Sequence, residues 1–154
     1  MVKVLFVCLG NICRSPMAEA VFREMVEKEG LADKIQIDSA ATSTWEQGNP
    51  VHHGTVERLA KENISTQGMY SRTLEDKDLS NDYIVGMDES NIVNIKKFIA
   101  GRPSGQVQML LEYAGEKRGI ADPWYTGDFD TTYDDVTRGT KALLEIIKKD
   151  LANG

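Results

Sequence analysis

Cysteine is scarce in this chain, with two among 154 residues. Cys8 and Cys13 lie too close together to be a disulfide framework, and no apolar signal core with a small-residue cleavage site opens the sequence. No run approaches the roughly 18 consecutive apolar residues of a membrane span. Positive charge is also short, since 18 Lys and Arg against 24 Asp and Glu leave a net charge of -6. Nucleic acid and membrane surfaces are polyanions, so neither is an expected partner. Histidine is limited to the adjacent pair His52 and His53. Neighbouring histidines rarely ligate one ion together, and the Cys8 to Cys13 gap lies at the edge of the rule for structural zinc, so no metal is expected. These absences imply a cytoplasmic protein that holds any anion locally and uses its two thiols for chemistry rather than scaffold.

What remains is ordinary globular material, 41% hydrophobic and 27% charged. A single domain over residues 1–154 is long enough to bury roughly two-thirds of the surface of the unfolded chain. Val2 to Val7 is apolar except for Lys3, as in a strand buried on both faces. Pro16 then opens a helical spacing through Ala18, Val21, Phe22, Met25 and Val26, closed by Gly30. Further strands are expected at Ile35 to Ala40, Tyr83 to Met87 and Val107 to Leu111. Between them fall helices marked by Val56, Leu59 and Ala60 and by Ile92, Ile95 and Ile99, the latter capped by Asp88. Val136, Leu143, Leu144, Ile147 and Leu151 form one face of a closing helix that starts near Thr131. The alternation predicts an α/β fold with a parallel sheet covered on both sides, whose ligands bind beyond the carboxyl ends of the strands.

Cys8 to Ser15 occupies that place after the first strand. Ser15 can cap a helix and Pro16 suits its first position, so the loop would deliver its amides to a helix N-terminus, where a doubly charged oxyanion is favoured. Gly10 would allow a tight turn, and Arg14 offers a planar fork for two oxygens. The same field favours Cys8 as thiolate, the nucleophilic form. The loop lacks both the Gly-Lys-Ser/Thr ending of a Walker A motif and the dinucleotide G-x-G-x-x-G pattern.

At this point the sequence resembles the low-molecular-weight protein tyrosine phosphatases over essentially its whole length. CLGNICRSPMAEA at Cys8 to Ala20 matches the family's C-x-x-x-x-x-R-S loop, and DPWYTGDFDTTYDD at Asp122 to Asp135 its acid loop. DSAATSTWEQGNP at Asp38 to Pro50 and MDESN at Met87 to Asn91 match the loops after the second and third strands. The resemblance implies a three-layer αβα fold with a four-stranded parallel sheet flanked by helices, and a phosphatase without cofactor. By position Cys8 would be the nucleophile, Arg14 the phosphate clamp and Asp122 the general acid and base. Leu9, Gly10, Asn11, Ile12, Cys13 and Ser15 would shape the phosphate loop, with Ser39 behind it. Cys13 resembles the residue that, in members having it, forms a reversible disulfide with an oxidised nucleophile.

Trp45, Trp124 and Tyr125 would wall a deep cleft, in which phosphotyrosine reaches the thiolate and shorter phosphoserine does not. The substrates implied are phosphotyrosine proteins or small aryl phosphates, met by a monomer or a weak homodimer. The chain departs from many members, which have Tyr where Trp124 stands, and from the acidic residue frequent near His52 and His53. Related arsenate reductases need further cysteines that this chain lacks. Related protein-arginine phosphatases typically have Thr where Ile12 stands, which favours the tyrosine branch here. A phosphotyrosine-binding module would need neither Cys8 nor Asp122.

Overall fold

The computed structural model describes residues 1–153. Four parallel strands, β1 (Val2–Cys8), β2 (Ile35–Ala41), β3 (Tyr83–Gly86) and β4 (Gln106–Met109), form one sheet in the order β2-β1-β3-β4. Five α-helices accompany them: α1 (Arg14–Lys28), α2 (His53–Ala60), α3 (Glu89–Ile99), the short α4 (Pro123–Thr126) and α5 (Phe129–Asn153). The fold is the three-layer αβα arrangement that the alternating pattern predicts.

β1 sits inside the sheet, and Val4 to Val7 are fully buried. Because successive side chains of a strand point to opposite faces, Val4, Phe6 and Cys8 join a core under α1 and α5, whereas Leu5 and Val7 join a second core with Ile95 and Ile99 of α3. The Phe6 and Phe22 rings meet edge to face at 5.5 Å in the first of these cores. The period of two therefore decides which layer Cys8 faces. Its place at the end of β1, paired with Ala41, sets it at the carboxyl edge of the sheet.

Several boundaries differ from the sequence expectation. Helix α1 begins at Arg14 rather than Pro16, and its N-cap residue is Cys13, with no side-chain capping bond. Ser15 therefore does not cap this helix, and Pro16 stands third in it. Strand β3 ends one residue earlier than expected, at Gly86, and α5 starts at Phe129, before Thr131. Strand β4 ends at Met109, while Leu110 and Leu111 enter a 3-10 turn, Leu110–Ala114. Both leucines are fully buried, and a Cβ on Gly139 would approach Leu110 Cγ to 2.5 Å. Their apolar run reflects packing beneath α5 and not a fifth and sixth rung of the sheet.

The Asp88 cap is present as expected. Asp88 Oδ1 accepts the Asn91 N-H at 2.8 Å and Asn91 Oδ1 accepts the Asp88 N-H at 3.1 Å, a reciprocal box at the start of α3. Among the described residues no helix is long and apolar enough to cross a membrane.

Candidate active site

The loop between β1 and α1 is held from outside by its carbonyls. Cys8 O accepts the Thr42 N-H at 3.0 Å, Leu9 O the Ser43 N-H at 3.1 Å, and Ile12 O the His52 N-H at 2.8 Å. Ser43 Oγ donates to Leu9 O at 2.8 Å, Ser71 Oγ to Gly10 O at 2.8 Å and Thr55 Oγ1 to Cys13 O at 3.1 Å. With the carbonyls committed outward, the amides of Gly10, Ile12, Cys13, Arg14 and Ser15 have no acceptor among the described residues. Gly10, Ile12, Cys13 and Arg14 line the same cleft as Cys8, and unpaired amides beside a helix N-terminus are groups that can receive an anion.

The conformational burden of the loop falls on Asn11 and not on Gly10. Asn11 has φ 57°, whereas Gly10 has a negative φ and instead gives room, since a Cβ there would lie 3.3 Å from Glu46 Cγ. Asn11 is held in place by its side chain: Oδ1 accepts the Arg72 N-H at 3.1 Å. That bond fixes the amide orientation and turns Nδ2 toward Ser15 Oγ at 2.7 Å and Ser39 Oγ at 2.9 Å. Arg72 is itself anchored to Asp38 at 2.8 Å and Asp78 at 2.9 Å.

Direction along this buried chain follows from the donors. Ser15 Oγ accepts from Asn11, so its own proton is free to point at Cys8 Sγ, 3.0 Å away, and the Asn11 N-H donates to the same sulfur at 3.3 Å. Ser39 Oγ accepts from Asn11 and donates to the buried Glu19 Oε1 at 2.5 Å, while Arg23 Nη2 donates to Glu19 Oε2 at 2.6 Å. Hydrogen bonds thus run outward from Asn11 to both ends, the Glu19 carboxyl group and the Cys8 sulfur. Ser15 serves the sulfur in place of the capping task expected of it.

Arg14 is almost fully buried, at 3% exposure. Nη1 donates to Asp88 Oδ2 at 2.6 Å and to Ile120 O at 2.9 Å, and Nη2 lies 3.4 Å from Asp122 Oδ2. Burial opposes the guanidinium charge, but Cys8, Asp88 and Asp122 outweigh it and push the Arg14 pKa above its ordinary value. One carboxylate does two tasks here, since Asp88 caps α3 with one oxygen and orients Arg14 with the other. Gly119 permits this approach; a Cβ there would lie 2.7 Å from Asp88 Cβ. Asp122 similarly caps α4, accepting the Trp124 N-H at 3.0 Å, and Pro123 fills the first helical position that Pro16 does not.

These groups form the floor of a cleft of about 150 Å³. Leu9, Gly10, Ile12, Cys13 and Glu46 line it with them, and Trp45, Trp124 and Tyr125 rise as largely exposed walls. Of the expected site residues Asn11, Ser15 and Ser39 stand outside the cleft proper, in the buried hydrogen-bond network beneath it. Asp88, Glu19 and His52 were not singled out as site residues in the sequence. Asp88 read as a helix cap and Glu19 as an unremarked position in α1; the one available signal for Glu19 was its place among the apolar positions Ala18, Val21 and Phe22.

Cys13 is buried and lines the cleft as a free thiol. Burial, reinforced by Asp122 and Cys8, pushes its pKa up to about 12. At pH 8 only a small fraction of Cys13 is then thiolate, burial being the largest cause and one that a change at Cys8 leaves in place. In a Cys8→Ser protein, iodoacetamide should leave Cys13 unmodified at pH 8, with labelling accelerating about tenfold per pH unit above that. Prompt alkylation at pH 8, read by intact-mass measurement, would contradict this.

Residues 3–153 match the family model described as low molecular weight phosphotyrosine protein phosphatase. The low molecular weight protein-tyrosine-phosphatase YfkJ of Bacillus subtilis is 43% identical over 153 residues, covering 97% of this chain and 98% of the relative. The crystal structure of YfkJ covers 97% of this chain and 96% of that chain, with a TM-score of 0.93. A Staphylococcus aureus relative, low molecular weight protein-tyrosine-phosphatase PtpA, is 46% identical over 151 residues, covering 97% and 96%. The crystal structure of a drosophila arginine phosphatase is 31% identical, covers 96% of this chain and 98% of that chain, and has a TM-score of 0.89.

Proposed function

Since the chain belongs to the low molecular weight phosphotyrosine protein phosphatase family, we propose that it hydrolyses phosphotyrosine through a covalent phosphocysteine on Cys8. The observation that carries this reading is the pair of donors, Ser15 Oγ and the Asn11 N-H, trained on a sulfur whose cleft is lined by Gly10, Ile12, Cys13 and Arg14, with amides that have no acceptor among the described residues. A hydrogen-bonded thiolate and an adjoining dianion hole are what attack on a phosphoryl group requires.

In the first step the Cys8 thiolate attacks phosphorus in line with the ester oxygen. An S-P bond forms and the P-O bond to the tyrosine ring breaks, while Asp122 gives its proton to the departing oxygen. In the second step water attacks the phosphocysteine, Asp122 takes up the proton, and the S-P bond breaks to return the thiolate and free phosphate. With Arg14 Nη1 engaged by Asp88 and Ile120 O, the Nε and Nη2 edge would pair two equatorial oxygens once Nη2 gives up its 3.4 Å contact with Asp122 Oδ2. The loop amides hold the others in both transition states.

Phosphotyrosine proteins or small aryl phosphates fit the aromatic walls. The similarity to an arginine phosphatase makes phosphoarginine the comparison that matters most, and Ile12 is the discriminating residue in the cleft. The test is phosphate release from matched phosphotyrosine, phosphoserine and phosphoarginine peptides, with an Ile12→Thr protein beside the wild type. Expected are turnover of phosphotyrosine alone by the wild type and a gain on phosphoarginine for Ile12→Thr. Preference of the wild type for phosphoarginine would overturn the substrate assignment and keep the thiol mechanism.

A further inference from the structure

His52 stands outside the ring of amides and yet touches the parts that surround it. Its backbone N-H donates to Ile12 O at 2.8 Å, and its Nδ1 accepts the Gly54 N-H at 3.0 Å, capping α2. Its ring stacks on His53 at 4.3 Å and on Phe129 at 5.4 Å, and meets the ring of Trp124 nearly edge on, at 5.5 Å and 77°. A Cβ on Gly54 would collide with the Phe129 ring, so the glycine is what lets Phe129 reach this stack.

Trp124 has little else to hold it. It is 57% exposed and belongs to a helix of four residues, far too short to be stable by itself. We propose that His52 is a positioning residue for aryl recognition: it anchors the phosphate loop through its backbone and sets the orientation of the Trp124 wall through its ring. This rests on the reading of the cleft as an aryl phosphate site. A ring-on-ring contact of this kind is worth roughly three- to tenfold in aryl binding.

The capping bond requires Nδ1 to be an acceptor, hence a neutral imidazole with its proton on Nε2. Burial and the adjacent His53 hold the His52 pKa below its ordinary value, against the opposing pull of Asp122, Glu46 and Glu57. For a group with a lowered folded value the sign is fixed: the cap is fully present above the unfolded value near 6.5 and is lost as pH falls through the folded value.

Inorganic phosphate reads the amide ring alone, whereas an aryl phosphate reads ring and wall together. His52→Asn keeps a capping acceptor and loses the ring; His52→Phe keeps the ring and loses the acceptor. Expected is a three- to tenfold rise in KM for phenyl phosphate in His52→Asn, with the inhibition constant of inorganic phosphate unchanged and the aryl KM restored in His52→Phe. An unchanged aryl KM in His52→Asn, an equal rise in both constants, or no rescue by a folded His52→Phe would each overturn the proposal. A second measurement covers a His52→Phe that does not fold. In a Trp45→Phe background Trp124 is the only tryptophan, and its emission should titrate with a midpoint below 6.5. That transition should vanish in His52→Asn; its persistence there, or its absence from the parent, would overturn the coupling. No hydrolysis of phenyl phosphate by the wild type would instead sink the functional reading, and the emission titration would still decide the role of His52.

Discussion

Cys8→Ser should abolish turnover, with kcat falling on the order of 10⁴ or more, while the fold and the phosphate site persist. A serine hydroxyl fits where the thiol sits and can keep both the Ser15 and the Asn11 contacts that the sulfur makes at 3.0 and 3.3 Å. What it cannot do is ionise near neutral pH in the way a thiol can. The amides, Arg14 and the helix terminus are unaltered, and the dianion no longer meets the thiolate that the proposed mechanism requires. Inorganic phosphate should therefore bind the variant at least as tightly as the wild type. Phosphate release and titration calorimetry with phosphate read the two halves of this expectation separately. Residual activity within tenfold of wild type would remove Cys8 from its role, and loss of phosphate binding would show that the substitution had damaged the loop.

The second large effect is expected at Asp122, and its size should depend on the leaving group. Asp122→Asn removes the proposed proton donor but preserves a side-chain oxygen to cap α4, where Asp122 now accepts the Trp124 N-H at 3.0 Å. An alanine at this position would lose the cap and displace the wall as well, confounding two effects. For a phosphotyrosine peptide, whose phenoxide leaves poorly without a proton, kcat/KM should fall roughly 10²- to 10³-fold. For an aryl phosphate with an electron-poor ring the oxygen leaves unassisted, and the loss should shrink toward unity. Plotting log kcat/KM against the acidity of a series of phenols should give a steep dependence in the variant and a shallow one in the wild type. Parallel lines for the two proteins would mean that Asp122 does not protonate the leaving oxygen.

The sequence disclosed the site in proportion to how local its chemistry is. Cys8, Gly10, Arg14 and Ser15 lie within eight positions, and a thiol, a glycine, a guanidinium and a helix start in that order have few other uses. The same locality misplaced two details. Ser-Pro is a strong signal for a cap, but the Cys8 sulfur and the Asn11 amide claim the serine hydroxyl, and the helix begins earlier at Arg14. Glycine is the usual residue where a loop turns sharply, but Asn11 takes the left-handed conformation here because Arg72, Ser15 and Ser39 hold its side chain. Asp88 acts on Arg14 across 74 positions and His52 acts on Trp124 across 72, and no periodicity or motif spacing encodes either approach. The central strand was legible from its own apolar run, Val4 to Val7, whereas β2, IQIDSAA, and β4, QVQM, are interrupted by polar residues and were placed by their alternation with helices.

The outward clamping of the loop carbonyls bears on when the protein becomes chemically competent during its own synthesis. Cys8 and Arg14 leave the ribosome well before the residues that frame them. Yet the loop is shaped by Thr42, Ser43, His52, Thr55 and Ser71, and Arg14 is oriented by Asp88 and Ile120. Until Ile120 has emerged, the loop lacks part of its frame and Arg14 one of its two fixed acceptors. Dephosphorylating power is in this sense a property of the completed domain, withheld from every nascent fragment that already contains the reactive residue.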